Sequence, residues 1–194
     1  MRALAASTLV LLAGCGSVHS DGPPASGSAD YATYGSVEDL AREADFVGVV
    51  RIGEVSTREL DDGGSGDPAD GVPMAFWNAE VTETWRGEPL ADQKIVVAWP
   101  DLEKEQVDGR SDLAAGQVVV LFARRLTPAE APGIKTQEVF YAPVGGDNGV
   151  LDVKDEVAAP RSADLERLRA DDAESGDFAP ALEVLKGLVS KTPG

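Results

Sequence analysis

Cysteine and histidine are almost missing from this chain, with Cys15 and His19 as their only examples. A lone cysteine forbids any disulfide within the chain. Both residues lie in the first twenty positions, before any segment with a folding pattern. That removes Ser-His and Cys-His nucleophilic pairs from the body of the protein and takes away the usual ligands of zinc. No G-x-S-x-G, S-x-x-K, H-E-x-x-H or C-x-x-C sequence occurs, nor any phosphate-cradling glycine loop. Among enzymes only a carboxylate-pair hydrolase stays open, because 34 acidic side chains produce many chance pairs. No cofactor is expected. Basic residues are also scarce, 17 against those 34 acids, for a net charge of −17. Such a surface repels phosphate backbones, so nucleic acid is not an expected partner. An acidic proteome or a need for solubility accounts for the charge equally well. Long apolar runs are lacking too: the first, residues 3–12, falls short of the ~20 residues a spanning helix needs.

What that short run does have is a distinctive end. One positive charge, Arg2, precedes it, and Leu12-Ala13-Gly14-Cys15 close it. These residues resemble the lipobox of bacterial lipoproteins, in which the cysteine is lipidated and becomes the first residue of the mature chain. The resemblance implies a signal peptide over residues 1–14 and export. It also implies a lipid anchor on Cys15 that holds the chain to the extracytoplasmic face of the cell membrane. Two or more acyl chains, at about 0.8 kcal/mol per buried CH₂, anchor stably without a spanning helix. The competing reading makes Cys15 an ordinary small residue in a cleaved signal. Its position as the sole cysteine, at the junction of apolar and polar sequence, weighs against that. Loss of Arg2 with the signal would leave a net charge of about −18. Residues 16–30 (GSVHSDGPPASGSAD) have no apolar periodicity and read as a flexible tether of roughly 20 Å average reach. His19 in such a segment reads as solvent-exposed filler.

Order is expected from about Tyr31 and Tyr34. Ser36 followed by Glu38, Asp39 and Leu40 marks a helix start, with Ser36 as N-cap and acids in the first turn. Residues 46–57 form a β-rich run in which Gly48 predicts a bulge or bend. Residues 61–71 (DDGGSGDPADG) are a loop by every breaker signal. From Met74 to Arg86 the chain alternates, with Ala75, Trp77, Ala79, Val81 and Trp85 on one face. Residues 94–99 and 117–122 are further strands, the second central. Residues 139–142 and 150–153 flank a glycine-rich stretch, Gly145 to Gly149, and read as a hairpin. Two helices are expected at the end: residues 162–170, capped by Ser162, and a second from Pro180 with Leu182, Leu185, Leu188 and Val189 on its apolar face.

Candidate binding groups are few. Asp61, Asp62, Asp67 and Asp70 crowd one loop and could offer oxygens to calcium, although their spacing does not reproduce an EF-hand. Asp147 and Asn148 are a second polar pair. Trp77 and Trp99 align with apolar neighbours and read as core. Trp85, at the strand's end, is the aromatic expected to meet a ligand, together with Asp147 and Asn148.

Several pieces resemble small secreted bacterial OB-fold domains, related in shape to the netrin-like domain of tissue inhibitors of metalloproteinases. They are Ser36-Val37-Glu38-Asp39-Leu40 leading into residues 46–52, then Val81-Thr82-Glu83-Thr84-Trp85-Arg86-Gly87. Residues 116–122 and Tyr141-Ala142-Pro143-Val144-Gly145-Gly146 complete the set. The resemblance implies a mainly β fold with flanking helices: a small OB-like β-barrel of five to six strands over residues 31–155. A short N-terminal helix precedes the strands, and a C-terminal helical segment, residues 156–194, packs on or trails the barrel. Protease inhibition does not carry across, because that mechanism uses a free N-terminal cysteine amine held by disulfides. The expected function is a non-catalytic lipoprotein that binds a protein or envelope component. OB-type barrels bind through one strand face and adjoining loops, here residues 61–71 and 145–149. A small-molecule or calcium-binding lipoprotein is the alternative.

Overall fold

The computed structural model describes residues 32–88, 91–104, 111–175 and 178–193; the side chains of Asp70 and Ala91 are not described. The lipobox, Cys15, the tether, His19 and Tyr31 therefore lie outside the described residues. Helix α1 spans Val37–Glu43. Seven strands follow: β1 Phe46–Asp61, β2 Val72–Arg86, β3 Lys94–Pro100, β4 Val118–Leu126, β5 Phe140–Pro143, β6 Val150–Lys154 and β7 Val157–Pro160. Helix α2, Leu182–Val189, comes last.

The strands form one sheet in the order β1-β2-β3-β5-β4-β6-β7, and an added β1–β4 pairing closes five of them into a ring. The protein is thus mainly β, an OB-like five-stranded barrel with a helix near each end of the described residues. All pairings are antiparallel except β3 with β5, which meet in parallel at Val97 and Tyr141. Closure needs sharp strand bending, and β1 supplies it with register shifts at Val47/Gly48 and Val49/Val50. Gly48 is obligatory there, since a Cβ would stand 2.4 Å from the Glu83 carbonyl oxygen.

Apolar side chains fill three layers. Inside the ring lie Val50, Ile52, Val81, Ile95, Val97, Trp99, Val119 and Leu121. Phe46 and Tyr141 meet edge-on there at 5.4 Å. Outside β1 and β4, the apolar faces of α1 (Val37, Leu40, Ala41) and α2 (Leu185, Leu188, Val189) cover Val47, Val49, Val120 and Phe122. A third cluster, Phe76, Ala98, Ile134 and Phe140, covers the outer face of β2 and β3. The Ser36 N-cap is as expected, its Oγ accepting from Asp39 N at 3.2 Å.

Three expectations need correction. The hairpin at residues 139–153 does not exist as such: β5 and β6 both pair with β4, not with each other. Gly145 and Gly146, at φ of +60° and +65°, start the 3-10 turn that carries the chain between them. Residues 162–170 are not helical. Their carbonyls are taken by the start of α1, with Val37 N donating to Arg167 O and Glu38 N to Leu168 O. The segment from residue 156 opens with a strand, because Asp155 and Glu156 take positive φ and fold β7 back on β6. Among the described residues, no helix is long and apolar enough to cross a membrane.

Candidate functional site

The acidic loop is built by its own carboxylates. Asp61 Oδ1 accepts from Gly63 N at 3.0 Å, Asp62 Oδ1 from Gly64 N at 2.8 Å, and Asp67 Oδ1 from Ala69 N at 2.9 Å. These are turn-forming bonds of the kind aspartate favours. Lys135 Nζ reaches Asp62 Oδ2 at 3.3 Å. The Gly64 N–H, with help from Lys135, draws the Asp62 carboxyl below its ordinary value. Nearby, Glu59 accepts from the backbone of Lys135 and Thr136, so the hairpin tip is clasped to residues 131–136. Among the described residues, no group of three or more His, Cys, Asp or Glu side chains stands close enough to hold a metal. Asp61, Asp62 and Asp67 each accept from the turn backbone, and the Asp70 side chain lies outside the described residues.

Asp147 and Asn148 are also structural. Gly146, Asp147, Asn148 and Gly149 are all buried, and Gly145 is partly exposed. Asn148 Oδ1 accepts from Tyr34 N at 3.3 Å, and its Nδ2 donates to Gly145 O. Asp147 Oδ2 accepts from Ser111 N at 3.0 Å. Trp85 is half-buried and packs into the layer between α1, α2 and the barrel. Beside it, Lys186 donates to Glu83 and lowers that carboxyl's pKa; the Trp85 indole lowers it further. The structure thus scatters Trp85, Asp147 and Asn148 into framework roles instead of gathering them.

A cleft of about 280 Å³ opens instead at the end of the ring where β3 leaves toward β4. Trp77, Trp99 and Leu113 form part of its wall, and Arg58, Asp101 and Glu103 supply charge. Arg58 Nε donates to Asp101 Oδ2 at 3.0 Å and Arg58 Nη2 to Glu103 Oε2 at 3.0 Å. Asp101 is 4% exposed, so this carboxylate is fixed in place. Trp99 is fully buried and donates from Nε1 to Ser111 O at 3.1 Å. Trp77 differs: its indole N–H is buried with no acceptor among the described residues. Leaving a buried donor unpaired costs about 1–3 kcal/mol.

The far wall of the cleft is held by Arg161, whose side chain is 3% exposed. Its guanidinium donates to Asp112 O at 3.1 Å and to Asp152 Oδ1 at 3.0 Å, and lies 6.0 Å from the Trp99 ring centre. Gln117 Nε2 adds a bond to the same Asp152 oxygen at 2.6 Å. Residues 111–114 are pinned to the barrel by this network. Arg58, Asp101 and Arg161 gave no sequence signal, because each lies far along the chain from its partners. Trp77 was legible as an apolar-face residue, but not as a donor left without an acceptor.

No protein-family model matches the chain, and no curated protein and no solved structure matches it either.

Proposed function

We propose that this protein is a non-catalytic lipoprotein, anchored at Cys15 on the extracytoplasmic side, whose barrel binds a protein or envelope component. The observation that carries the binding reading is the barrel-end cleft, with a rigid aromatic wall and a paired but half-exposed Arg58. Concave sites with apolar walls and a few fixed polar groups are where small folds recognise partners. Helices cover one outer face of the ring and the 131–136 segment another, which leaves the cleft end and the hairpin tip for contact. The ring's strand order also supports kinship with secreted OB-fold domains. The Leu12-Ala13-Gly14-Cys15 sequence supports the anchor.

Crosslinking capture on intact cells, with the full chain as bait, tests the reading. One envelope component should be enriched by the wild type and lost with Arg58→Ala. Equal background recovery by both proteins would argue against a binding role for the cleft end.

A further inference from the structure

We infer that α2 is a contact between two copies of this chain, each crossing its symmetry mate antiparallel at Gly187. This surface is separate from the barrel-end cleft, and its role does not depend on what the cleft binds. The starting point is a residue that the single chain does not need. Gly187 sits inside the eight-residue α2 and is not among the glycines of positive φ. Glycine is the poorest helix former after proline. No internal crowding demands it either, because a Cβ there would meet no atom within 4 Å. A glycine that weakens its helix and relieves no clash within the chain fits a close backbone approach from outside.

The surroundings of Gly187 identify what approaches. A groove of about 280 Å³ runs beside it, between α2 and residues 168–172. Leu168, Leu188 and Val184 give this groove apolar surface, and Val184 is 48% exposed. Arg169 and Lys191 balance Asp172 and Glu183 in the same lining. In a chain of net charge −17, a face whose charges cancel is where two copies repel least. Its charges are also self-complementary. Glu183 lies four positions before Gly187 and Lys191 four after it. Among the described residues neither forms an ion pair, and Lys186, one turn from Glu183, is taken by Glu83. In a twofold contact residue i faces j and j faces i. An antiparallel crossing at Gly187 therefore brings each Glu183 to the mate's Lys191, with Val184 of each copy against the other's α2. One short helix buries less than the ~1,200 Å² of a stable complex, so the pairing is weak and reversible.

The test is zero-length crosslinking of the purified full chain with a carbodiimide, which joins a carboxylate to a lysine already in contact. At ~1.5 Å per residue, Glu183 and Lys191 of one chain lie roughly 12 Å apart, so joining them reports two chains. Glu83 and Lys186, bonded within the chain, supply the internal control. A covalent dimer linked from Glu183 to Lys191 is expected as protein rises to about 500 µM. Glu183→Lys or Lys191→Glu alone should abolish that link, since each sets like charges opposite one another. An equal mixture of the two variants should restore it as a mixed dimer, and the double exchange should restore it between identical chains. Gly187→Gln keeps both reactive groups; it should raise Tm by its better helix propensity yet cut dimer yield roughly fivefold or more. Arg58→Ala, the cleft variant, should leave the yield unchanged. No dimer while the Glu83–Lys186 product forms, a double exchange that stays monomeric, or an unchanged yield with Gly187→Gln overturns the inference. Treatment of intact cells that joins Glu183 or Lys191 only to a different protein overturns it as well.

Discussion

Arg86, the last residue of β2, holds both helices to the barrel, and replacing it should loosen them together. Its guanidinium donates to Ala41 O in α1 and to Val189 O and Thr192 O at the end of α2. Helices of seven and eight residues are far below the length that is stable alone, so both depend on docking. Their last carbonyls lack partners within the helix and carry the negative end of its dipole, which a cation satisfies. Arg86→Met keeps most of the apolar stem and removes every donor. Hydrogen bonds to a charged group contribute about 1.5–3 kcal/mol each. The three do not add, since water can reach part of this half-buried site, and the variant escapes the burial that lowers the Arg86 pKa. A net loss of about 2–4 kcal/mol follows. For a domain of this size that is roughly a 5–15 °C fall in Tm. Calorimetry reads the shift, and amide exchange locates it: α1 and α2 should lose protection before the ring. Arg86→Lys, a point charge without the fork, should recover less than half of the loss. A Tm within about 2 °C of wild type for Arg86→Met would refute the clamp.

Gly48→Ala should destabilise by about 2–4 kcal/mol or prevent folding, because the new methyl meets the Glu83 carbonyl and the Phe46 ring; urea unfolding measures it. The Glu83–Lys186 pair gives a two-sided pH dependence. Glu83 is held below its ordinary 4.5, so its contribution is present above that value and lost as pH falls through the lowered one. Lys186 is raised above its ordinary 10.5, and its contribution is lost as pH climbs past the raised value. Thermal melts of Glu83→Gln should show a shallower acid-side decline than wild type; parallel curves would remove the pair from the explanation. Cys15→Ser should release the chain from the membrane fraction, and persistent membrane association would contradict the lipid anchor.

Where the sequence was informative, the signal was local. Ser36 capped the helix it was expected to cap, and Gly48 marked a bend because no other residue fits between Phe46 and Glu83. The alternation from Ala75 to Val81 identified β2 because a ring with a filled interior imposes a period of two, whereas Trp85, expected on the same face, packs with the helices outside the ring. Local signals failed where the outcome depended on distant partners. β1 runs to Asp61, past the expected end at Thr57, because its polar second half pairs with the start of β2. The glycines between β5 and β6 announced a turn, but turn chemistry does not say which strand the chain will join afterwards. Residues 162–170 have helical composition, and the open N-terminus of α1 competed for their carbonyls and won. Phe76 showed nothing in advance of its second outer core, since its partners Ile134 and Phe140 come much later. The cleft failed for the same reason: Arg58 and Asp101 meet only once the ring has closed.

Ring closure also has a consequence in time. β1 is made early in the chain, yet its partner β4 comes only after β2, β3 and a long connection, and β5 must then slot in parallel to β3. Such distant pairings slow folding, because each must overcome the entropy of a large loop before contacts reward it. For a chain that is proposed to be exported, slowness would be useful if it crosses the membrane before folding. A barrel that cannot shut until its later strands arrive would then stay threadable while its front end was already on the far side.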